Sequence, residues 1–195
     1  AGSMADIAFL LLIFFLVTTT IETDAGLDRM LPPIEPPDTD VIIKQKNIFQ
    51  VNINRDGQLL ADDELTNIKD LRAKAIAFLD NGGAPSGSPD YCNYCKGKRD
   101  VASSDSPAKA IISLKNDRET KYGTYITVQN ELVGAYNDLR NREAQRLYKK
   151  DFTDMEAEYL NPETPDNVRE ELKEKVKRIQ DLFPQKLSEA ETSSN

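Results

Sequence analysis

One acidic residue lies inside an otherwise apolar stretch near the start of the chain. Residues 4–21 read MADIAFLLLIFFLVTTTI, and Asp6 is the only charged residue among them. A carboxylate within a membrane-spanning helix costs about 3 kcal/mol on insertion scales, and it usually faces water or protein, where it often relays protons or ions. With Gly2 and Ser3 the stretch reaches the roughly 20 residues that a bilayer requires. The sequence therefore predicts a transmembrane helix, residues 1–21, whose Asp6 faces a protein partner.

Other interpretations of this stretch are a signal peptide and a buried core helix. A signal peptide usually has basic residues before its apolar core, whereas the first basic residue here is Arg29. Asp6 is also near one end of the stretch, so it would have no role of its own if it lay at the level of the lipid headgroups. The acidic flank at residues 22–28 suits the non-cytoplasmic side of a membrane.

Two cysteines form the second group that could do chemistry. Cys92 and Cys95 lie in residues 81–107, a segment rich in Gly, Ser, Pro and Asp that we call the cysteine insertion. Such a pair can be a redox centre, half of a zinc site or a local disulfide. Zinc would lack two ligands, because the chain has no histidine and no further cysteine. In an oxidising compartment we expect a structural disulfide and no metal site.

The composition excludes several classes of function. The 195 residues include 33 Asp and Glu against 25 Lys and Arg, which gives a net charge of −8, and no histidine. Without histidine there is no Ser-His-Asp or Cys-His nucleophile system. An acidic chain repels phosphate backbones, so nucleic acid is not an expected partner. No convergent acid–base pair or phosphate loop is evident, and we predict that the protein is not an enzyme.

The rest of the chain predicts a polar body outside the membrane. A linker, residues 22–46, contains two Pro-Pro pairs, which favour extended polyproline geometry. Residues 47–54 alternate between apolar and polar side chains, as a half-buried strand does, and a turn and a return strand follow. Asp62 or Asp63 is expected to cap the next helix.

The second half of the chain predicts one more strand and then mostly helix. Residues 110–114 form a short apolar strand, and an amphipathic helix is expected from Tyr125 to Leu139. Residues 140–195 are predicted as a charged helical extension with a tail that is disordered from about Ser188. The predicted fold class is therefore α+β: a single N-terminal transmembrane helix, a small two-layer domain at residues 47–139 that carries the cysteine insertion, and a helical C-terminal extension.

The apolar stretch resembles the membrane helix of the ExbD/TolR family, in which an aspartate precedes an apolar run that ends in small or hydroxylated residues. Residues 31–33 (Leu-Pro-Pro), residues 59–79, and the strand 110–114 with the Asp117 and Tyr122-Gly123 that follow resemble segments of the family's extramembrane domain. The cysteine insertion has no counterpart in that pattern. The family's closing strand is often introduced by a glycine, and here none follows Gly134. The family's basic N-terminus is also missing, so we expect the chain to be truncated.

The resemblance implies a proton-driven motor subunit of the bacterial inner membrane, a single-pass protein with its C-terminal domain in the periplasm. Such a protein works as a homodimer within a ring of an ExbB- or TolQ-like polytopic partner in the lipid membrane. It passes movement to a TonB-like energy transducer, which energises outer-membrane transport. The family's membrane aspartate matches Asp6, which we predict as the proton carrier, with Thr18, Thr19 and Thr20 lining the proton pathway. Protons are the coupling ion, and no cofactor is expected.

Two alternative functions stay open at this point. A TolR-type subunit of envelope integrity uses the same helix chemistry, and the sequence does not separate it from an ExbD-type subunit. A membrane-tethered periplasmic scaffold without proton chemistry is the other alternative, and in that protein Asp6 would be incidental.

Overall fold

The computed structural model of the protein describes residues 7–14 and 44–191. The predicted proton-pathway residues Asp6, Thr18, Thr19 and Thr20 lie outside the described residues, as does the linker up to residue 43. Residues 7–14 are helical.

From residue 44 the chain forms an α+β domain. The strands are β1 (Ile48–Ile53), β2 (Leu59–Ala61), β3 (Glu64–Thr66), β4 (Ile111–Asn116) and β5 (Leu187–Glu191). The α-helices are α1 (Ile68–Leu79), α2 (Tyr122–Tyr148), α3 (Phe152–Leu160) and α4 (Asp166–Leu182). A 3-10 turn, Gln45–Asn47, precedes β1. The predicted α+β class is confirmed for this domain.

The strands form one mixed sheet in the order β3-β2-β1-β4-β5. The central strands β1 and β4 are parallel, with Ile48 opposite Ile111, and β5 extends the sheet in parallel with Ile112 opposite Leu187. Strands β2 and β3 continue from β1 in antiparallel pairs. The sheet therefore takes its last strand from the far C-terminal part of the chain.

The core lies between one face of the sheet and helices α1 and α2. Strand β1 alternates between half-buried and buried residues, because successive side chains of a strand point to opposite faces. The buried side chains of the three inner strands meet apolar stripes on both helices. The largest of these fully buried side chains are Leu59, Ile112, Leu114, Leu71, Leu79, Leu132, Tyr136 and Leu139.

The C-terminal segment has a smaller core of its own. The end of α2 packs with α3 and α4 through Ala144, Phe152, Met155 and Ile179. Leu182, at the end of α4, contacts both cores. Helices α3 and α4 therefore form a packed hairpin between α2 and β5.

Three predictions about local structure are wrong: the helix cap at Asp62 or Asp63, the disordered tail and the wholly helical C-terminal extension. Asp62 and Asp63 do not cap a helix: both have positive φ angles, 48° and 65°, and they form the two-residue turn between β2 and β3. Helix α1 begins later, at Ile68. The tail is not disordered from Ser188, because residues up to Glu191 pair with β4. The C-terminal extension is consequently helical only as far as Leu182, and then supplies a strand to the sheet.

Candidate functional site

The helix of residues 7–14 exposes apolar side chains around its whole circumference. Its seven large side chains, from Ile7 to Phe14, are each between 42% and 64% exposed. A helix turns by about 100° per residue, so seven such residues leave no polar face. A helix that is apolar on all sides is typical of an apolar environment.

Within residues 7–14 and 44–191, no helix is both long enough and apolar enough to cross a bilayer.

The cysteine insertion contains a disulfide between Cys92 and Cys95, with the two Sγ atoms 1.97 Å apart. The insertion has no regular strand or helix, yet it is not a solvated loop, because both cysteines and both of its ends are buried. The Asn81 side-chain amide holds the two ends together: it donates to the carbonyls of Asp100 and Ser104, both at 2.8 Å. Its Oδ1 accepts from the backbone N–H of Asp100 at 3.0 Å.

The insertion also approaches the end of α1 closely. The backbone N–H of Gly97 donates to the carbonyl of Asp80 at 3.0 Å. A Cβ atom at residue 97 would lie 2.5 Å from that oxygen, which is closer than real Cβ contacts, so this approach requires glycine.

Tyr94 joins the insertion to the connection between α4 and β5. Its hydroxyl donates to the carbonyl of Leu182 at 2.8 Å, and its ring packs edge-on against Phe183 with the centroids 5.5 Å apart. Burial raises the pKa of Tyr94 to about 12, and the negative charges of Glu143 and Asp80 add to the increase. The insertion and the C-terminal segment thus support each other.

A network of two acids and two arginines lies beside this contact. Arg142 donates to both carboxylate oxygens of Asp80, at 2.6 and 2.8 Å. Glu143 has a fully buried side chain and accepts from Arg142 at 3.4 Å and from Arg146 at 2.7 Å. The hydrogen bonds from Arg142 to Asp80 are the main cause of the raised pKa of Arg142. Removal of one partner of a buried pair leaves an uncompensated charge, so these ion pairs are costly to separate. The pair between Asp80 and Arg142 therefore holds α2 against the end of α1.

The clefts on the described surface include one beside the cysteine insertion and one beside β3. One, of about 240 Å³, lies between the insertion and α2, next to Tyr94 and Arg146. The other, of about 790 Å³, lies between β3 and the start of α1, next to Leu65 and Asn67. No group of three or more Cys, Asp or Glu side chains in the described residues is arranged to hold a metal ion.

Sequence reasoning did not find the network or the Tyr94 contact. Asp80 and Arg142 are 62 residues apart in the chain, and Tyr94 and Leu182 are 88 residues apart. The charges of α2 follow a helical pattern that is also typical of a solvated face, so the sequence contains no local signal for this site.

Comparison with known proteins gives one family match. The sequence model described as biopolymer transport protein ExbD/TolR matches residues 1–140. The matched range contains the apolar stretch, all strands up to β4 and the first part of α2, and it ends before α3. No curated protein matches the chain.

Proposed function

This chain belongs to the ExbD/TolR family of biopolymer transport proteins, and from that premise we propose that it is a proton-motive-force-coupled motor subunit of the inner membrane. The observation that carries the proposal is Asp6, the only charged residue of the apolar stretch 4–21 and a part of the matched range. The family is associated with transport and not with enzymatic activity, and we propose no catalytic reaction.

Asp6 can act as the proton carrier because its two protonation states need different surroundings. A protonated carboxyl tolerates an apolar environment, whereas a carboxylate requires water or a polar partner. Proton binding and release then shift the population between two arrangements of the helix. One charge that crosses 100 mV supplies about 2.3 kcal/mol, so a working cycle needs several protons. Thr18, Thr19 and Thr20 are proposed to line the pathway.

The proposed partners are those that would surround the apolar stretch on which Asp6 lies. A single helix cannot surround Asp6 on all sides, and the exposed apolar side chains of residues 7–14 likewise require contact with lipid or with other apolar helices. We assign this role to a second copy of the chain and to an ExbB- or TolQ-like ring. The folded domain is proposed to lie in the periplasm, an oxidising compartment in which the Cys92–Cys95 disulfide persists. There it passes movement to a TonB-like transducer.

Replacement of Asp6 by Asn tests the proposal, since Asn keeps the shape of Asp and cannot titrate. We expect Asp6→Asn to abolish energised outer-membrane uptake while the assembly with the ring partner still forms. The matched control is Asp63→Asn, because Asp63 is exposed and Asn tolerates its positive φ angle. Normal uptake with Asp6→Asn would overturn the role of Asp6 as the proton carrier.

A capture experiment separates the ExbD-type role from the TolR-type role, which the family match does not distinguish. The full chain is cross-linked in its native membrane and purified with its partners. We expect a TonB-like transducer among them. Recovery of Tol-system proteins in its place would assign the chain to the TolR type.

A further inference from the structure

Asp105 fastens the start of the folded domain to the cysteine insertion. Its side chain is only 4% exposed, and its carboxylate lies 2.5 Å from the ammonium group of Lys46 and 3.4 Å from that of Lys44. The side-chain amide of Asn47 donates to the same carboxylate at 3.2 Å. In return, the backbone N–H of Asp105 donates to Asn47 Oδ1 at 2.8 Å. We call these four residues the Asp105 clasp.

Two lysines of the clasp compensate the charge of the Asp105 carboxylate. Burial alone would raise the pKa of Asp105, but hydrogen bonds from Lys46, Asn47 and Lys44 outweigh that effect and hold the pKa below its usual range. Asp105 is therefore ionised at neutral pH, and each partner of its carboxylate belongs to the first four described residues of the domain. A buried carboxylate with this set of partners is costly to separate from them.

The insertion side of the clasp is itself held in place. The backbone N–H of Ala84 donates to the carbonyl of Asp105 at 3.1 Å, and that of Gly83 donates to Ser104 at 2.8 Å. These bonds tie the segment around Asp105 to the chain that follows α1. On the other side, Lys46 also donates to the carbonyl of Val101 at 3.0 Å. The clasp consequently connects residues 44–47 to a segment that is itself hydrogen-bonded to the chain after α1.

We propose that Asp105 is a positioning residue of the motor. It fixes the point where the linker joins the domain, so that β1 is not the only element that bears tension from the membrane. This inference rests on the proposed function. Strands β1 and β4 are adjacent and parallel, with Ile48 opposite Ile111, so both begin at the same edge of the sheet. The clasp lies before both of these strand starts. Tension that arrives through Lys44 is therefore shared between β1 and the segment that leads into β4.

The test uses two variants that break the clasp from opposite sides, Asp105→Asn and Lys46→Gln, in the full chain assembled with its ring partner. The matched control is Asp90→Asn, because Asp90 is also in the insertion and pairs with Lys109 at 3.6 Å, away from residues 44–47. Amide hydrogen exchange is measured by mass spectrometry, and energised uptake and proton flux are measured in parallel.

We expect exchange across residues 44–50 to become at least tenfold faster in both clasp variants, with unchanged exchange in α2 and β5. Uptake should fall at least threefold while proton flux is retained, because the clasp acts on transmission and not on proton transfer. The double variant should lose no more uptake than the more affected single variant, since both substitutions remove the same interaction between Lys46 and Asp105. Asp105→Glu, which keeps the charge, should retain most of the uptake of the unmodified chain.

Unchanged exchange at residues 44–50, or normal uptake despite faster exchange there, would overturn the role of the clasp. The Asp6→Asn variant in the same assays separates the two proposals. Loss of uptake in Asp6→Asn with normal uptake in Asp105→Asn overturns the clasp alone. Normal uptake in Asp6→Asn overturns the proton-driven function and, with it, the transmission role of Asp105.

Discussion

Phe183 offers a quantitative test of whether the C-terminal segment and the sheet form one folding unit. Its side chain is fully buried in the sheet core, and its ring contacts Tyr94 of the cysteine insertion. Truncation of a buried Phe to Ala costs about 3–5 kcal/mol, from lost transfer free energy and from the cavity that remains. With a urea dependence of about 2 kcal/mol per M, the unfolding midpoint of Phe183→Ala should fall by about 2 M.

The assay is urea unfolding of the full chain in mild detergent, followed by far-UV circular dichroism because the protein has no tryptophan. The control is Leu160→Ala, since Leu160 is 58% exposed and its truncation should change the free energy of unfolding by no more than about 0.5 kcal/mol. A midpoint shift below about 0.5 M for Phe183→Ala would refute the reasoning. So would a separate early transition that leaves hydrogen exchange in β4 unchanged.

Two further predictions concern the cysteine insertion. The pKa of Tyr94 in the folded protein, about 12, exceeds its unfolded value of about 10, so this group makes stability fall as pH rises from about 10 to about 12. Tyr94→Phe should flatten that fall in the unfolding midpoint, and an unchanged slope would contradict the assignment. Reduction of the Cys92–Cys95 disulfide, whose cysteines are three residues apart, should lower the free energy of unfolding by about 2 kcal/mol on a chain-entropy estimate. The Cys92→Ser, Cys95→Ser double variant should show the same loss without reductant, whereas labelling of both thiols in untreated protein would contradict the disulfide.

The sequence predicts the parts of the fold whose burial follows a local period. Residues 47–54 alternate with a period of two, and the structure buries every second residue of β1. The apolar stripe on the predicted helix from Tyr125 is also confirmed, because its members are buried against the sheet in α2. These members are Val128, Leu132, Ala135, Tyr136 and Leu139.

Strand β5 could not be predicted in the same way. Its sequence, LSEAE, has few apolar residues, and Leu187 is its one described buried side chain. Tertiary contacts place it: Arg140 donates two hydrogen bonds to the carbonyl of Phe183, at 2.8 and 3.0 Å, just before the strand. The edge of β4 then pairs with the backbone of β5, and backbone pairing requires no particular side chains.

The turn between β2 and β3 shows a second limit of local patterns. Asp is favoured at helix N-caps, and it also tolerates positive φ angles in two-residue hairpin turns. Asp62 and Asp63 adopt the second conformation because the backbone of β3 pairs with β2. The Asp105 clasp has the same kind of cause, since it joins residues 58 or more positions apart that nothing in the local sequence brings together.

Proton flux tests the central claim most directly. The full chain and its ring partner are reconstituted in vesicles with an imposed membrane potential, and the internal pH is followed for the unmodified chain, Asp6→Asn and the control Asp63→Asn. We predict flux through the unmodified chain and through Asp63→Asn, and at least tenfold lower flux through Asp6→Asn. Equal flux in all three would contradict the proposal that Asp6 carries the proton.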